Sequence, residues 1–387
     1  MDLTPLKGAF QQESRDFRLE AFARRAHHLV AAAHGAGGRF QRTTGGILET
    51  FPRLDHRLGA DHAGAAGLAV AIVDEGVELR AGGISEPILL LAETPADALD
   101  DAFDARLTVT VGSLDGAHAV VASAARAGGR HPVHIKVDTG MHRMGVAPHD
   151  IDAVVDVLSA SPNVVIEGVY THFPVADSIA SEDQAYSLHQ MAEFDTVIER
   201  VRQRGVTPAL IHLANSAAAL ALPSARASMV RIGLAAYGYV PHPSLTTLLT
   251  TKGLSLRPAL SLKARVTAVR HLAPGERPSY GRRRALAESA TVATVPFGYA
   301  DGYPRRFFEA GATVLIGGRR FPLAGSVTMD QLVVDCGSAS VSVGDEVVLL
   351  GTQGDHTITA DEWAGWGETI TWEVLCGVGA RVPRIAV

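Results

Sequence analysis

Between residues 67 and 222 the chain alternates short apolar runs with longer amphipathic stretches, and that alternation leaves few folds open. Gly67–Val73 reads as a buried strand with a helix over Asp74–Ala81 behind it. Pro87–Leu91 is a second strand, followed by a helix over Pro95–Phe103. Pro132–Val137 precedes a helix over Asp150–Leu158, and Val164–Tyr170 precedes a long one over Asp183–Gln203. Ala209–Leu213 is a strand and Ser216–Leu222 a helix. Repeats of this kind are βαβ units with parallel strands. Their number in about 250 residues predicts an α/β fold, a (β/α)8 TIM-type barrel over residues 1–255, rather than a doubly wound sheet.

Past residue 255 the pattern changes. Leu260–Val269, Ala290–Val295, Ala312–Ile316, Gln331–Asp335 and Glu346–Leu350 are β-branched runs separated by Gly and Pro turns. They predict a mostly antiparallel β domain over residues 256–387. At the other end, Leu19–Ala33 suits a helix, but residues 34–66 show neither strand nor helix period where a first barrel strand belongs. That strand is expected to be poorly formed.

Composition excludes several classes. Apolar residues make up 47% and charged residues 20%, so the chain can bury a core. A net charge of −6 argues against nucleic-acid binding by bulk charge. The two cysteines, Cys336 and Cys376, make neither a disulfide framework nor a metal-ligand pair. The first residues carry Asp2, Glu13, Arg15 and Asp16 with no apolar signal core. Runs such as Leu68–Val73 are too short to span a bilayer. A soluble, cytoplasmic setting is expected. Of the 35 basic residues only four are lysines: Lys7, Lys136, Lys252 and Lys263. Chemistry that needs a lysine amine has few candidates.

Candidate chemistry gathers at strand ends, where barrel active sites lie. Lys136 closes an apolar strand and leads into Val137-Asp138-Thr139-Gly140-Met141-His142-Arg143. A buried ammonium there needs a partner, a depressed pKa or a covalent modification. Arg143 is a fixed cation that can hold an anion or a ring oxygen. His172, in Tyr170-Thr171-His172-Phe173, is as readily a satisfied core histidine as a functional one. Asn215 and Ser216 begin a helix, which makes either a plain N-cap or a phosphate site. In Met229-Val230-Arg231-Ile232-Gly233-Leu234, the arginine at the end of an apolar strand can donate to a ring nitrogen. Gly233 lets backbone N–H groups approach an anion. Tyr280 sits in an exposed turn and can serve acid–base chemistry if a neighbour stabilises its ionised form. Phe297–Pro304 and Val327–Gln331 are polar turns without metal or nucleotide spacing, and no dinucleotide fingerprint follows a strand.

Taken in order, Lys-x-Asp-Thr-Gly-Met-x-Arg-x-Gly, Tyr-Thr-His-Phe, Ala-Asn-Ser-Ala, Val-Arg-x-Gly, Ser-Tyr-Gly, Gly-Tyr-Ala-Asp-Gly, Met-Asp-Gln and Arg-Val-Pro-Arg resemble alanine racemase, the fold-type III family that uses pyridoxal 5'-phosphate. The resemblance runs from about residue 66 to the C-terminus, with a weaker match over Leu19–Leu29. It implies a homodimer that interconverts L- and D-alanine for cell-wall precursors, with the cofactor acting as an electron sink for a Cα carbanion. In this likeness Tyr280 is the base for the L-enantiomer and reaches in from the partner. Arg143 contacts the cofactor's ring oxygen and the substrate carboxylate. Arg231 pairs with the pyridine nitrogen, and His172 links Arg231 to Tyr280. Asn215 stands at the phosphate-side helix, while Ser216, Gly233 and Leu234 contact the phosphate. Met329 gives a backbone contact to the substrate, and Lys136 matches a lysine that the family carbamylates.

Two departures stand out. The Schiff-base lysine motif, due near Arg42–Thr44, is replaced by Phe40-Gln41-Arg42-Thr43-Thr44-Gly45-Gly46 at unchanged length. Compensating frameshifts in the coding DNA produce that kind of loss. Trp372 stands where the family usually has a phosphate-binding tyrosine, and an indole N–H donates but does not accept. The rival reading is a homologue, impaired or inactive, that binds the cofactor or an amino acid without racemising it.

Overall fold

The computed structural model describes residues 65–385. The expected helix over Leu19–Ala33, the segment 34–66 and the Arg42–Thr44 position lie outside the described residues. Six strands form one sheet in strictly sequential order, every pair parallel: β1 (Leu68–Val70), β2 (Ile88–Glu93), β3 (Thr108–Val111), β4 (His131–Lys136), β5 (Val164–Tyr170) and β6 (Leu210–His212). A doubly wound sheet reverses its order at a switch point. This one does not, as in a barrel wound in one sense.

The helices between the strands are α1 (Val73–Ala81), α2 (Leu99–Asp104), α3 (Leu114–Ala127), α4 (Ile151–Ser159) and α5 (Ser181–Gln203); after β6 come α6 (Ser216–Ala221) and α7 (Ser244–Thr251). α4 buries Ile151, Val154, Val155 and Leu158, the i, i+3, i+4, i+7 stripe of an amphipathic helix. The sequence reading passes over β3 and α3. β3 is Thr-Val-Thr-Val and wholly buried, so its threonines mimic a half-exposed strand. α3 starts where the Ser113 hydroxyl accepts the Gly116 N–H at 2.9 Å.

The expected strand through Val230 and Arg231 does not form. That stretch runs extended past β6, held by Ser228 N–H to Ile211 O and Arg231 N–H to Ala214 O, and pairs no further. The apolar run reflects packing of Val230 and Ile232 on the barrel core, not a ladder.

The C-terminal part holds two antiparallel assemblies. One combines β7 (Leu262–Arg265), β10 (Thr313–Ile316), β11 (Arg319–Pro322), β13 (Glu346–Gln353) and β14 (His356–Ile358). The other is β8 (Ala268–Leu272), β9 (Ala290–Val295) and β12 (Leu332–Asp335). The single strand expected over Leu260–Val269 is therefore two. The chain changes sheets at the junction, where Val266 N–H donates to Asp345 O and Thr267 N–H to Thr294 O. Two helices, α8 (Ala360–Gly367) and α9 (Thr371–Cys376), follow; the sequence reading has only strands there. One apolar core gathers residues between Val70 and Leu245, and a second gathers residues between Leu234 and Val378. No described helix is long and apolar enough to cross a membrane.

Candidate active site

Strand register brings the site together. Lys136 of β4 lies opposite Tyr170 of β5, and Tyr170 opposite His212 of β6. Side chains alternate along a strand, so the three share one face at one level. The Tyr170 ring stacks on His212 at 4.6 Å and 10°. Its hydroxyl donates to Leu91 O at 3.0 Å and lies 2.9 Å from the Thr110 hydroxyl, and burial pushes its pKa up to about 12. Tyr170 is thus a fixed wall, with the Arg231 guanidinium 5.0 Å and the Lys136 Nζ 5.8 Å from its ring centre.

Arg231 is the centre of the cluster. Nη1 donates to His212 Nδ1 at 2.8 Å and to His212 O at 3.2 Å. Nη2 donates to Thr171 O at 2.8 Å, His172 Nδ1 at 3.1 Å and Leu213 O at 3.1 Å. Burial lowers its pKa only to about 10, so it remains a cation near neutrality. Because an arginine can only donate, His172 and His212 both accept at Nδ1 and carry their proton on Nε2. His212 Nε2–H then donates to His134 Nδ1 at 2.8 Å, and His134 Nε2–H to Glu167 at 3.2 Å. Gly168 makes this chain possible, since a Cβ there would meet the His134 ring at 2.6 Å.

Burial first, then the charge of Arg231, lowers the pKa of His172 to about 3 and lowers that of His212 as well. Arg143 and Lys136 add to the effect on His172. Both imidazoles are neutral in the fold. An unfolded histidine takes up its proton near 6.5, so the unfolded state binds more protons between about 6.5 and about 3. Stability is therefore lost as pH falls through that window. The His172→Asn variant is expected to show a shallower fall of denaturant midpoint with pH than the native chain; equal slopes contradict the assignment of a neutral, half-buried His172.

The loop after β4 is tied down at its base. Asp138 N–H donates to Val146 O at 2.9 Å and Val146 N–H to Lys136 O at 2.8 Å. The Asp138 carboxylate accepts the N–H groups of Gly140 and His142, each at 3.0 Å. Gly145 takes a φ of +140°, and a Cβ there would meet Asp138 N at 2.7 Å. Arg143, exposed on this loop, is close enough for its charge to depress the pKa of Lys136.

Near α6, the Asn215 side chain is a plain cap. It accepts from Ala218 N–H at 3.0 Å and donates to Phe173 O at 3.2 Å. The Ser216 hydroxyl accepts Gly233 N–H at 3.0 Å and Ala235 N–H at 3.4 Å, which leaves its own proton to donate outward. Gly233 N–H is thus already committed. Leu234 starts the 3-10 turn Leu234–Tyr237, so its N–H has no partner within that turn. Trp372 lies in α9, whose Val374 and Leu375 share a core with Leu234; its side chain is 38% exposed.

Tyr280 and Met329 do not join the barrel cluster within one chain: no described hydrogen bond links them to it, and they are 73% and 54% exposed. They neighbour each other's loops, because the Ser279 hydroxyl donates to Ser326 O at 2.6 Å. The two turns read as featureless polar loops are in fact latched. Arg381 Nε donates to Asp301 and its Nη2 to Asp330, each at 2.6 Å, which fixes both turns to the C-terminal segment. His134, Tyr170 and His212 were missed as site residues. The signal was present in the period of two, since His134 stands two residues before Lys136 on a buried strand.

The comparisons with known proteins agree on one family. The model described as "Alanine racemase, N-terminal domain" matches residues 55–241, and "Alanine racemase, C-terminal domain" matches residues 259–386. A protein of Desulforamulus reducens named alanine racemase is 40% identical over 328 residues, 84% of this chain and 85% of that protein. The structure of alanine racemase from Bacillus anthracis with bound L-Ala-P is similar with a TM-score of 0.79 at 35% identity, covering 85% of this chain and 83% of that one. A histidine racemase from Leuconostoc mesenteroides is similar at 27% identity with a TM-score of 0.76, covering 85% and 86%.

Proposed function

The chain belongs to the alanine racemase family, and from that premise we propose that it interconverts L- and D-alanine with pyridoxal 5'-phosphate, supplying D-alanine for cell-wall precursors. One observation carries the reading. The two terminal nitrogens of half-buried Arg231 are saturated by five acceptors, while its Nε–H has no acceptor among the described residues. A cation tied down at both terminal nitrogens, with one donor left over, suits an acceptor brought by a ligand, and a pyridine nitrogen is one.

The other groups fit the same cofactor. Ser216 O–H and Leu234 N–H, with the Trp372 indole N–H, would hold the phosphate. Arg143 would hold the ring oxygen and the carboxylate of alanine. When bound, the cofactor supplies an electron sink for the charge left as the Cα proton departs. The chain's own groups do the rest. Arg231 keeps its proton and acts as a hydrogen-bond donor. Neutral His172, its Nδ1 tied to Arg231, turns Nε2–H outward to steady the Tyr280 oxygen. Tyr280 takes and returns the Cα proton on one face. Its exposure in a single chain supports a second copy bringing it to the site, so we take the working form as a homodimer in the cytoplasm. On domains, we take the barrel as residues 1–255 and the β part as 256–387. We take Lys136, its Nζ 5.8 Å from the Tyr170 ring centre, as the lysine that the resemblance marks for carbamylation, which would let it pair with Arg143.

The test is direct. The full chain supplied with pyridoxal phosphate and L-alanine is expected to yield D-alanine up to equal amounts by chiral chromatography. L-alanine left unchanged contradicts the proposal and favours a homologue that binds without racemising.

A further inference from the structure

We propose that Gln190 of α5 is a positioning residue, whose side-chain amide ties the loop carrying Arg143 to His172 and holds the two in one geometry; this rests on the racemase reading above. The second half of α5 buries an apolar stripe. Phe194, Val197, Ile198 and Val201 follow the helical spacing and join the barrel core. One and two turns earlier the same stripe becomes polar, as Gln190 and Ser187, which are 0% and 1% exposed. The change falls where the helix passes the loops after β4 and β5.

The Gln190 amide serves both loops. Its Nε2 donates to Thr139 Oγ1 at 3.3 Å and to His172 O at 3.2 Å. A carbonyl only accepts, so the nitrogen must face His172 O, which fixes the way the amide lies. The hydroxyls of Thr139 and Thr171, 2.7 Å apart, close the bridge one residue before His172. Thr171 O accepts Arg231 Nη2 at 2.8 Å, so the bridge is continuous with the Arg231 cluster. On the other side, Thr139 lies inside the turn that Asp138 caps through the N–H groups of Gly140 and His142, and Arg143 follows that turn. Tyr186, one helical turn before Gln190, adds a second tie by donating to Gly140 O at 2.9 Å. The approach is close: a Cβ on Gly140 would strike the Tyr186 hydroxyl and come within 3.3 Å of Gln190 Nε2. The other end of the amide is left unserved. Gln190 Oε1, though fully buried, has no donor among the described residues. A side chain kept only for packing avoids that cost, and a leucine or methionine would continue the apolar stripe without it. What the glutamine adds is the link between the two loops.

The experiment uses the full chain supplied with pyridoxal phosphate. Gln190→Met keeps the length of the side chain and removes the amide. Thr139→Val cuts the bridge from its other end with little change of shape. Ser187→Ala, on the same buried stripe and without a hydrogen-bond partner among the described residues, is the control. Gln190→Met is expected to exchange backbone amides for deuterium roughly tenfold faster in both 139–146 and 171–175, the effect of losing one or two hydrogen bonds. Ser187→Ala is expected to exchange as the native chain does. In Gln190→Met, KM for alanine is expected to rise and kcat per bound cofactor to fall, with kcat/KM down by up to about 10²-fold. Loss of folded protein alone lowers turnover and leaves KM unmoved. Thr139→Val should reproduce both changes, and adding it to Gln190→Met should cost little more. It carries the test if Gln190→Met fails to fold. Faster exchange in one loop only or in neither, or a native KM in both variants, overturns the inference. A native chain that does not racemise counts against the racemase reading alone, and the exchange of the two loops then decides the link by itself.

Discussion

Tyr280→Phe is expected to lower L-to-D turnover by roughly 10²–10⁴-fold, the range for losing one positioned acid–base group. The substitution deletes a single oxygen. Tyr280 is 73% exposed and its turn is held through Ser279 to Ser326, so the fold does not depend on the hydroxyl. KM for alanine and cofactor content are therefore expected to change little, and the loss should fall on kcat. Because the hydroxyl is proposed to act in a second copy's site, mixing Tyr280→Phe with Arg143→Ala chains is expected to restore part of the activity. Some mixed dimers then carry one intact site. Full activity in Tyr280→Phe, or no recovery on mixing, contradicts the role given to this residue.

Arg231→Met is expected to have the largest effect on stability, a loss of several kcal/mol by equilibrium unfolding, since each acceptor left buried without a donor costs about 1–3 kcal/mol. Five acceptors lose their donor together: the Nδ1 atoms of His172 and His212 and the carbonyls of Thr171, His212 and Leu213. The two histidines also lose what fixes their tautomers, so order along Glu167, His134 and His212 goes with it. Arg231→Lys keeps the charge but not the planar fork, and an ammonium cannot serve all five acceptors. It is expected to fold less stably than the native chain and to bind the cofactor poorly. An unfolding midpoint unchanged in Arg231→Met contradicts the network described above.

The parts of this fold that were legible in sequence are those where burial and local pattern coincide. Val164–Tyr170 was read to the residue, and α5 to within two, because its buried positions from Ser187 to Val201 keep the helical spacing. β3 escaped because alternating Thr and Val looks half-exposed although both faces are covered. The break between β7 and β8 escaped because buried Val266 continues the apolar run while the chain crosses between sheets. The site divides in the same way. Lys136, His172, Ser216 and Arg231 lie at strand ends or a helix start, which sequence can locate. The line from Glu167 through His134 to His212 depends on which strand residues face each other across Gly168, and only register supplies that. The latch of Asp301 and Asp330 on Arg381 joins residues 80 and 51 positions apart, beyond any local pattern.

The central claim is that this chain's cluster removes and returns the Cα proton of alanine. Solvent exchange measures that step itself, apart from product release. Each enantiomer is incubated in deuterium oxide with the full chain and pyridoxal phosphate, and the Cα proton is followed by NMR. The Cα signal of both L- and D-alanine is expected to disappear at rates that match racemisation. Alanine recovered with its Cα proton intact, from protein shown to hold the cofactor, would contradict it.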